Sequence, residues 1–160
     1  MNIFLEEHQQ VLEKLVDKGV EFLIIGGYAV NFHGYNRVTG DLDIWIKPDN
    51  INKDRLVGML SEMQFDSSGL DSLKKADFTA PFVFYIWEEP YKVDFLTHIS
   101  GNSFREAYAR RVVKDIEGIQ LPFISITDLV ASKIATTRLR DKADVEELQK
   151  VARFLNPGSQ

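Results

Sequence analysis

The stretch GGYAVNFHGYNRVTGDLDIWI, Gly26 to Ile46, decides how the rest of the chain is read. Two glycines close the apolar run FLII, and two aspartates one residue apart open the alternating run DLDIWI, which stops at Pro48. EFLII (21–25) suits a short buried strand, and YAVNFHG (28–34) a short helix with Gly34 just past its end. Strand side chains alternate faces, so Asp41 and Asp43 project from one side while Leu42 and Ile44 project from the other. Two neighbouring carboxylates repel unless a cation neutralises them, and their oxygens are the ligands that Mg²⁺ or Mn²⁺ takes. Taken alone, a D-x-D pair also fits a polar strand end facing water, and a Gly-Gly pair a simple tight turn. Together they describe more: a strand-to-helix turn without side chains lets phosphate oxygens approach backbone N–H groups, beside a carboxylate pair suited to a metal-bound triphosphate.

Composition limits the alternatives. With 160 residues, 44% of them hydrophobic, the chain suits a single domain, with a sheet core over about 1–104 and an edge strand and helices over about 105–160. The absence of cysteine excludes disulfides, thiolate catalysis and cysteine-ligated zinc. Met1 leads into a charged amphipathic segment, and no apolar run reaches membrane length, so a cytoplasmic protein without a membrane partner is expected. The net charge of -5 argues against general DNA binding. Residues 1–104 hold 9 basic and 16 acidic side chains, and 105–160 hold 10 and 8, which directs any polyanion toward the C-terminal part.

Further along, a helix is expected over 3–18, with Phe4, Val11, Leu12, Leu15 and Val16 near helical spacing, and another over 52–65. PFVFYIW and KVDFLTH, with EEPY between them, suggest two strands joined by a tight turn. IQLPFIS is a further strand in which Pro122 indicates an edge or a strand start. Helices ITDLVASKIATTRL and KADVEELQKVARFL close the chain. Two-metal phosphoryl transfer needs a third acid, and Asp94 in KVDFL is the candidate, on a strand able to lie beside DLDIWI. The competing reading pairs Asp94 with Lys92 on an outward strand face.

The order FLIIGG, DLDIWI, VDFL resembles the DNA polymerase beta-like nucleotidyltransferase superfamily, over Phe22 to Leu96 and more weakly to about Leu148. The fuller string is similar to small bacterial stand-alone members of the abortive-infection and toxin–antitoxin kind. The resemblance implies an α+β nucleotidyltransferase fold, a mixed sheet with helices packed against it. It also implies Mg²⁺- or Mn²⁺-dependent transfer of a nucleoside monophosphate from an NTP such as ATP to a hydroxyl acceptor, with release of pyrophosphate. On this reading Asp41 and Asp43 bind both metals, and Asp94 binds the catalytic metal and accepts the acceptor's proton. Gly26 and Gly27 hold the phosphates through backbone N–H groups, because the serine that many members carry is here Gly27. The acceptor is left open among a small molecule such as an aminoglycoside, a tRNA end and a protein. A nucleotide- or partner-binding module of the same fold with little turnover is the alternative function.

The C-terminal helices bear on the same site. Ile126, Leu129, Val130 and Ile134 form an apolar stripe with Lys133 at its centre, and Asp141 and Asp144 share a side with Val145, Leu148, Ala152 and Leu155. One reading has the aspartates stabilise a helix N-terminus while Lys133 snorkels or pairs with one of them. The other resembles the toxin-like K-x(n)-RDxxD segment, here SKIATTRLRDKADVEEL, in which Lys133 contacts triphosphate while Arg140, Asp141 and Asp144 shape the site or order the lysine. Arg37, in the loop before Asp41, is placed either to reach a phosphate or in solvent. His33 reads as a helix C-terminal histidine favoured by the helix dipole, and Trp45 and Trp87 as core residues in strands. A NAD-binding Rossmann reading fails, since GGYAVNFHG lacks the G-x-G-x-x-G spacing.

Overall fold

A computed structural model of the chain describes residues 3–36, 38–135 and 139–155, apart from the side chains of 139–140 and 154–155. The elements run α1 (Glu6–Asp17), β1 (Phe22–Ile25), α2 (Gly26–Phe32), β2 (Leu42–Ile46), α3 (Asn50–Glu62), α4 (Ser67–Lys75), β3 (Val83–Ile86), β4 (Val93–Leu96), α5 (Phe104–Ala109), β5 (Val112–Ile116), β6 (Ile119–Phe123), α6 (Ile126–Ile134) and α7 (Leu139–Leu155). The strands form one mixed sheet in the order β3-β4-β2-β1-β6-β5. FLII, DLDIWI and KVDFL are therefore neighbours, as expected, with β2 between an antiparallel β1 and a parallel β4.

Strand alternation sorts the core into two layers. Phe22, Ile24, Leu42, Ile44, Ile46, Val93 and Phe95 pack with residues of α1, α3 and α4, such as Leu12, Leu56, Leu60 and Leu70. On the opposite face Leu23, Ile25 and Trp45 meet Ala29 and Val30 of α2, Phe104 of α5, Leu129 of α6 and Leu148 of α7. Asp43 and Trp45, two residues apart, share that second face, and its helices leave room over the aspartate. Trp45 is buried there and donates Nε1–H to the Thr97 carbonyl at 2.9 Å.

Several expectations are corrected. Helix α2 begins at Gly26, two residues early, because glycine takes the left-handed φ of +67° that turns the chain straight from strand to helix. The β3–β4 connection is the six-residue segment Trp87–Lys92, not a tight turn, and Trp87 leaves the strand at a φ of 60° to pack partly buried against the first core layer. Pro122 lies in an interior strand; β6 pairs with β5 along five residues but meets β1 only at Ile24 and Phe123, so the missing N–H interrupts no long ladder on that side. The true edge there is β5, which the sequence reading passed over together with α4 and α5. Glu117 and Gly118, both at positive φ, turn β5 back into β6.

Val16 and Ile134 are 39% and 62% exposed and so drop out of their expected stripes. His33 stands at the C-terminal cap of α2, as expected, half-buried with Nε2 donating to the Ile124 carbonyl at 2.7 Å, and burial lowers its pKa. No helix among the described residues is long and apolar enough to cross a membrane.

Candidate active site

Parallel pairing of β2 with β4 sets Asp43 directly beside Asp94, and antiparallel pairing of β2 with β1 sets Asp43 beside Ile25, the residue before Gly26. The register alone therefore brings the glycine turn and two acids together. Asp41, one residue ahead of β2, completes the group at the rim. All five of Gly26, Gly27, Asp41, Asp43 and Asp94 line one cavity of about 700 Å³, which is the size range of ligand sites. Lys133 of α6 and Asp141 of α7 form part of its wall, as do Thr39, Gly40, Leu96 and His98.

The approach of Gly26 to Asp43 is close enough to forbid a side chain. A Cβ on Gly26 would overlap Asp43 Oδ2 and lie 2.8 Å from Cγ. The bare backbone therefore serves two ends here, the positive φ and the space that the aspartate fills.

The acids are electrostatically frustrated. Burial, and then the Asp94 and Asp41 charges, raise the Asp43 pKa to about 7, with a further contribution from its hydrogen bond to Asp94. Burial also raises Asp94, against the lowering effect of Lys92. The Lys92 ammonium stands 3.5 Å from Asp94 Oδ1 and 4.0 Å from Asp41 Oδ2, and 4.8 Å over the Tyr85 ring. The expected alternatives for Asp94 thus coexist: it faces the cavity and also pairs with Lys92. Among the described residues, no group of three or more histidine, aspartate or glutamate side chains is arranged so that it could hold a metal ion. The donor set of hard carboxylate oxygens with a surplus of negative charge nonetheless suits a hard divalent cation.

Lys133 is buried, and its Nζ lies 3.0 Å from Asp141 Oδ1 and 2.9 Å from Asp144 Oδ2, both aspartates being buried as well. Asp144 supports the lysine from behind and does not line the cavity, whereas Asp141 does. Arg37 and the side chain of Arg140 lie outside the described residues. His98, Glu89 and Val83 of the lining were not singled out by the sequence. His98 follows Asp94 by four residues in TH, a weak signal; its Nδ1 lies 2.8 Å from Thr97 Oγ1.

Residues 4–159 match the family model described as nucleotidyl transferase of unknown function (DUF2204). The chain belongs to that family, and it is an enzyme of the nucleotidyltransferase class. No curated protein sequence matches it. Among solved structures it is similar to a putative nucleotidyltransferase from Thermotoga maritima, at 17% identity and a TM-score of 0.57, covering 98% of this chain and 97% of the other. It is also similar to the lincosamide antibiotic adenylyltransferase LnuA in its lincomycin-bound form, at 15% identity and a TM-score of 0.55, covering 94% and 99%. At such identities the likeness shows the fold, which is the α+β nucleotidyltransferase fold expected from the sequence.

Proposed function

We propose that this enzyme transfers a nucleoside monophosphate, such as AMP from ATP, to a hydroxyl of a small molecule and releases pyrophosphate. The observation that carries this reading is the Asp43–Asp94 pair, set in register on adjacent parallel strands and facing the Gly26–Gly27 turn across one cavity. Asp41, Asp43 and Asp94 would hold Mg²⁺ or Mn²⁺, which would neutralise charge on the phosphate and leaving oxygens. The glycine backbone N–H groups cradle the phosphates, as a turn without side chains permits. Asp94 is the residue placed to take the acceptor proton on a carboxylate oxygen. Lys133 reaches the nucleotide from the α6 wall, held by Asp141 and Asp144; Arg37 and Arg140 are assigned to the nucleotide from the sequence pattern.

A small-molecule acceptor is favoured over a tRNA or a protein by a cavity of about 700 Å³ and by the lincomycin bound to the similar adenylyltransferase. The net charge of -5 supports the same choice, and a cytoplasmic setting supplies the NTP. The Lys133–Asp141–Asp144 arrangement supports kinship with the abortive-infection and toxin–antitoxin branch.

The test is incubation with each α-³²P-labelled NTP, Mg²⁺ or Mn²⁺, and fractionated cell extract. Label is expected in a small-molecule fraction with stoichiometric pyrophosphate. Label in RNA or protein overturns the acceptor assignment, and nucleotide binding without pyrophosphate release favours a binding module.

A further inference from the structure

Lys92 is the one described lysine that reaches two of the three acids of the site. Its Nζ lies 4.0 Å from Asp41, at the rim, and 3.5 Å from Asp94, on the floor. Its side chain is 28% exposed, and those of Asp41 and Asp94 are 30% and 20% exposed, so the pairs are partly shielded from water. The ammonium also rests over the Tyr85 ring, whose residue pairs with Asp94 across β3 and β4. The fold fixes the start of that side chain as well. The Lys92 carbonyl accepts the Leu42 N–H at 3.2 Å, tying its backbone to the first residue of β2 between the two aspartates of D-x-D. Next to it, the Tyr91 carbonyl accepts from the buried His8 Nε2 at 3.1 Å, which anchors the segment to α1. A positive charge on a short tether is thus held where a metal ion shared by Asp41 and Asp94 would exert its field.

We propose that Lys92 is a tethered counter-cation which competes with the divalent metal for Asp41 and Asp94, and so makes metal binding depend on nucleotide. The inference rests on the metal-site reading above. Without nucleotide, the ammonium neutralises part of the acidic cluster, and a free ion must displace it. When a triphosphate enters along Gly26–Gly27, its negative charge offers the ammonium another partner and the ion a further set of oxygens. Lys92 then leaves the carboxylates toward phosphate, and metal and nucleotide bind with positive coupling, each raising the other's affinity by the same factor. The free enzyme is kept from gathering ions at a half-formed site.

The experiment measures Mn²⁺ affinity by electron paramagnetic resonance, with and without a nonhydrolysable NTP analogue, for the wild type, Lys92→Met and Lys92→Arg, with a melting temperature for each. In the absence of nucleotide Lys92→Met is expected to bind Mn²⁺ roughly fivefold tighter, the scale of two partly shielded ion pairs. Lys92→Arg, which keeps the charge, should stay near the wild type. The factor by which the analogue strengthens Mn²⁺ binding should shrink in Lys92→Met. Melting of the metal-free Lys92→Met protein should fall and be restored by Mn²⁺, which separates a charge effect from a failure to fold. Unchanged or weaker Mn²⁺ binding by Lys92→Met, with measurable binding by the wild type, overturns this inference alone. Absence of Mn²⁺ binding in every protein, while the analogue still binds, overturns the metal site itself and this inference with it.

Discussion

The carboxyl of Asp43 occupies the space where Gly26 would carry a side chain, its Cγ 2.8 Å from the position of a Cβ. A backbone turn on β1 and an acid on β2 are therefore fitted to each other. Gly26→Ala must accept both a left-handed φ of +67° and a collision with Asp43. Each costs on the order of 1–2 kcal/mol, so the variant should lose at least about 2 kcal/mol of stability by denaturant titration. Nucleotide affinity should fall as well, measured where the variant is still folded. A melting temperature equal to that of the wild type would show that the turn tolerates a side chain.

The pH dependence of stability follows from Asp43. Its pKa rises from an ordinary carboxylate value to about 7 in the folded protein, so between roughly pH 4 and 7 the folded state binds a proton that the unfolded state lacks. Stability therefore falls as pH rises through this window, and the contribution of the protonated group is gone above it. Asp43→Asn removes the titration. The variant should match the wild type in melting temperature at or below about pH 4 and exceed it increasingly up to about pH 7 and above in metal-free buffer. Parallel pH profiles for the two proteins would contradict the burial of charge at this position.

On the proposed function, Lys133 serves both stability and binding. Its removal leaves Asp141 and Asp144 buried without their shared ammonium, so Lys133→Met is expected to cost about 3–5 kcal/mol. The triple variant Lys133→Met, Asp141→Asn, Asp144→Asn should regain most of that loss by removing the stranded charges, but not the NTP affinity. Recovery of affinity in calorimetry would mean that the lysine is structural only.

The parts of the fold that were legible in the sequence are those whose pattern is strong. FLII, DLDIWI and VDFL are short and largely apolar, and they are three of the four interior strands. Asp41 and Asp43 were legible because alternation puts the two acids of D-x-D on one side, whereas Asp94 joins them only through the β2–β4 register, which the sequence does not show. β5 was not, since VVKDI is an edge strand with four of its five residues exposed and no apolar alternation to mark it. Pro122 misled because the rule against proline concerns a lost ladder bond, and β6 has almost no ladder toward β1. Ile134 misled because α6 ends there and the stripe has nothing further to cover. A pairing of Lys133 with one aspartate is one of two readings its spacing allows, and the structure gives it both Asp141 and Asp144; the position of Lys92 between Asp41 and Asp94 depends on strand register, and only its pairing with Asp94 is legible.

Calorimetric titration of a nonhydrolysable NTP analogue in the presence of Mn²⁺, into the wild type, Asp43→Asn and Asp94→Asn, tests most directly whether the paired acids facing the Gly26–Gly27 turn form the nucleotide site. Metal-dependent binding is expected in the wild type and a loss of at least about tenfold in each variant, about 1.4 kcal/mol or more, with folding intact and Asp43→Asn no less stable at neutral pH. Equal affinity in all three proteins, or binding in the wild type that ignores Mn²⁺, would contradict the account.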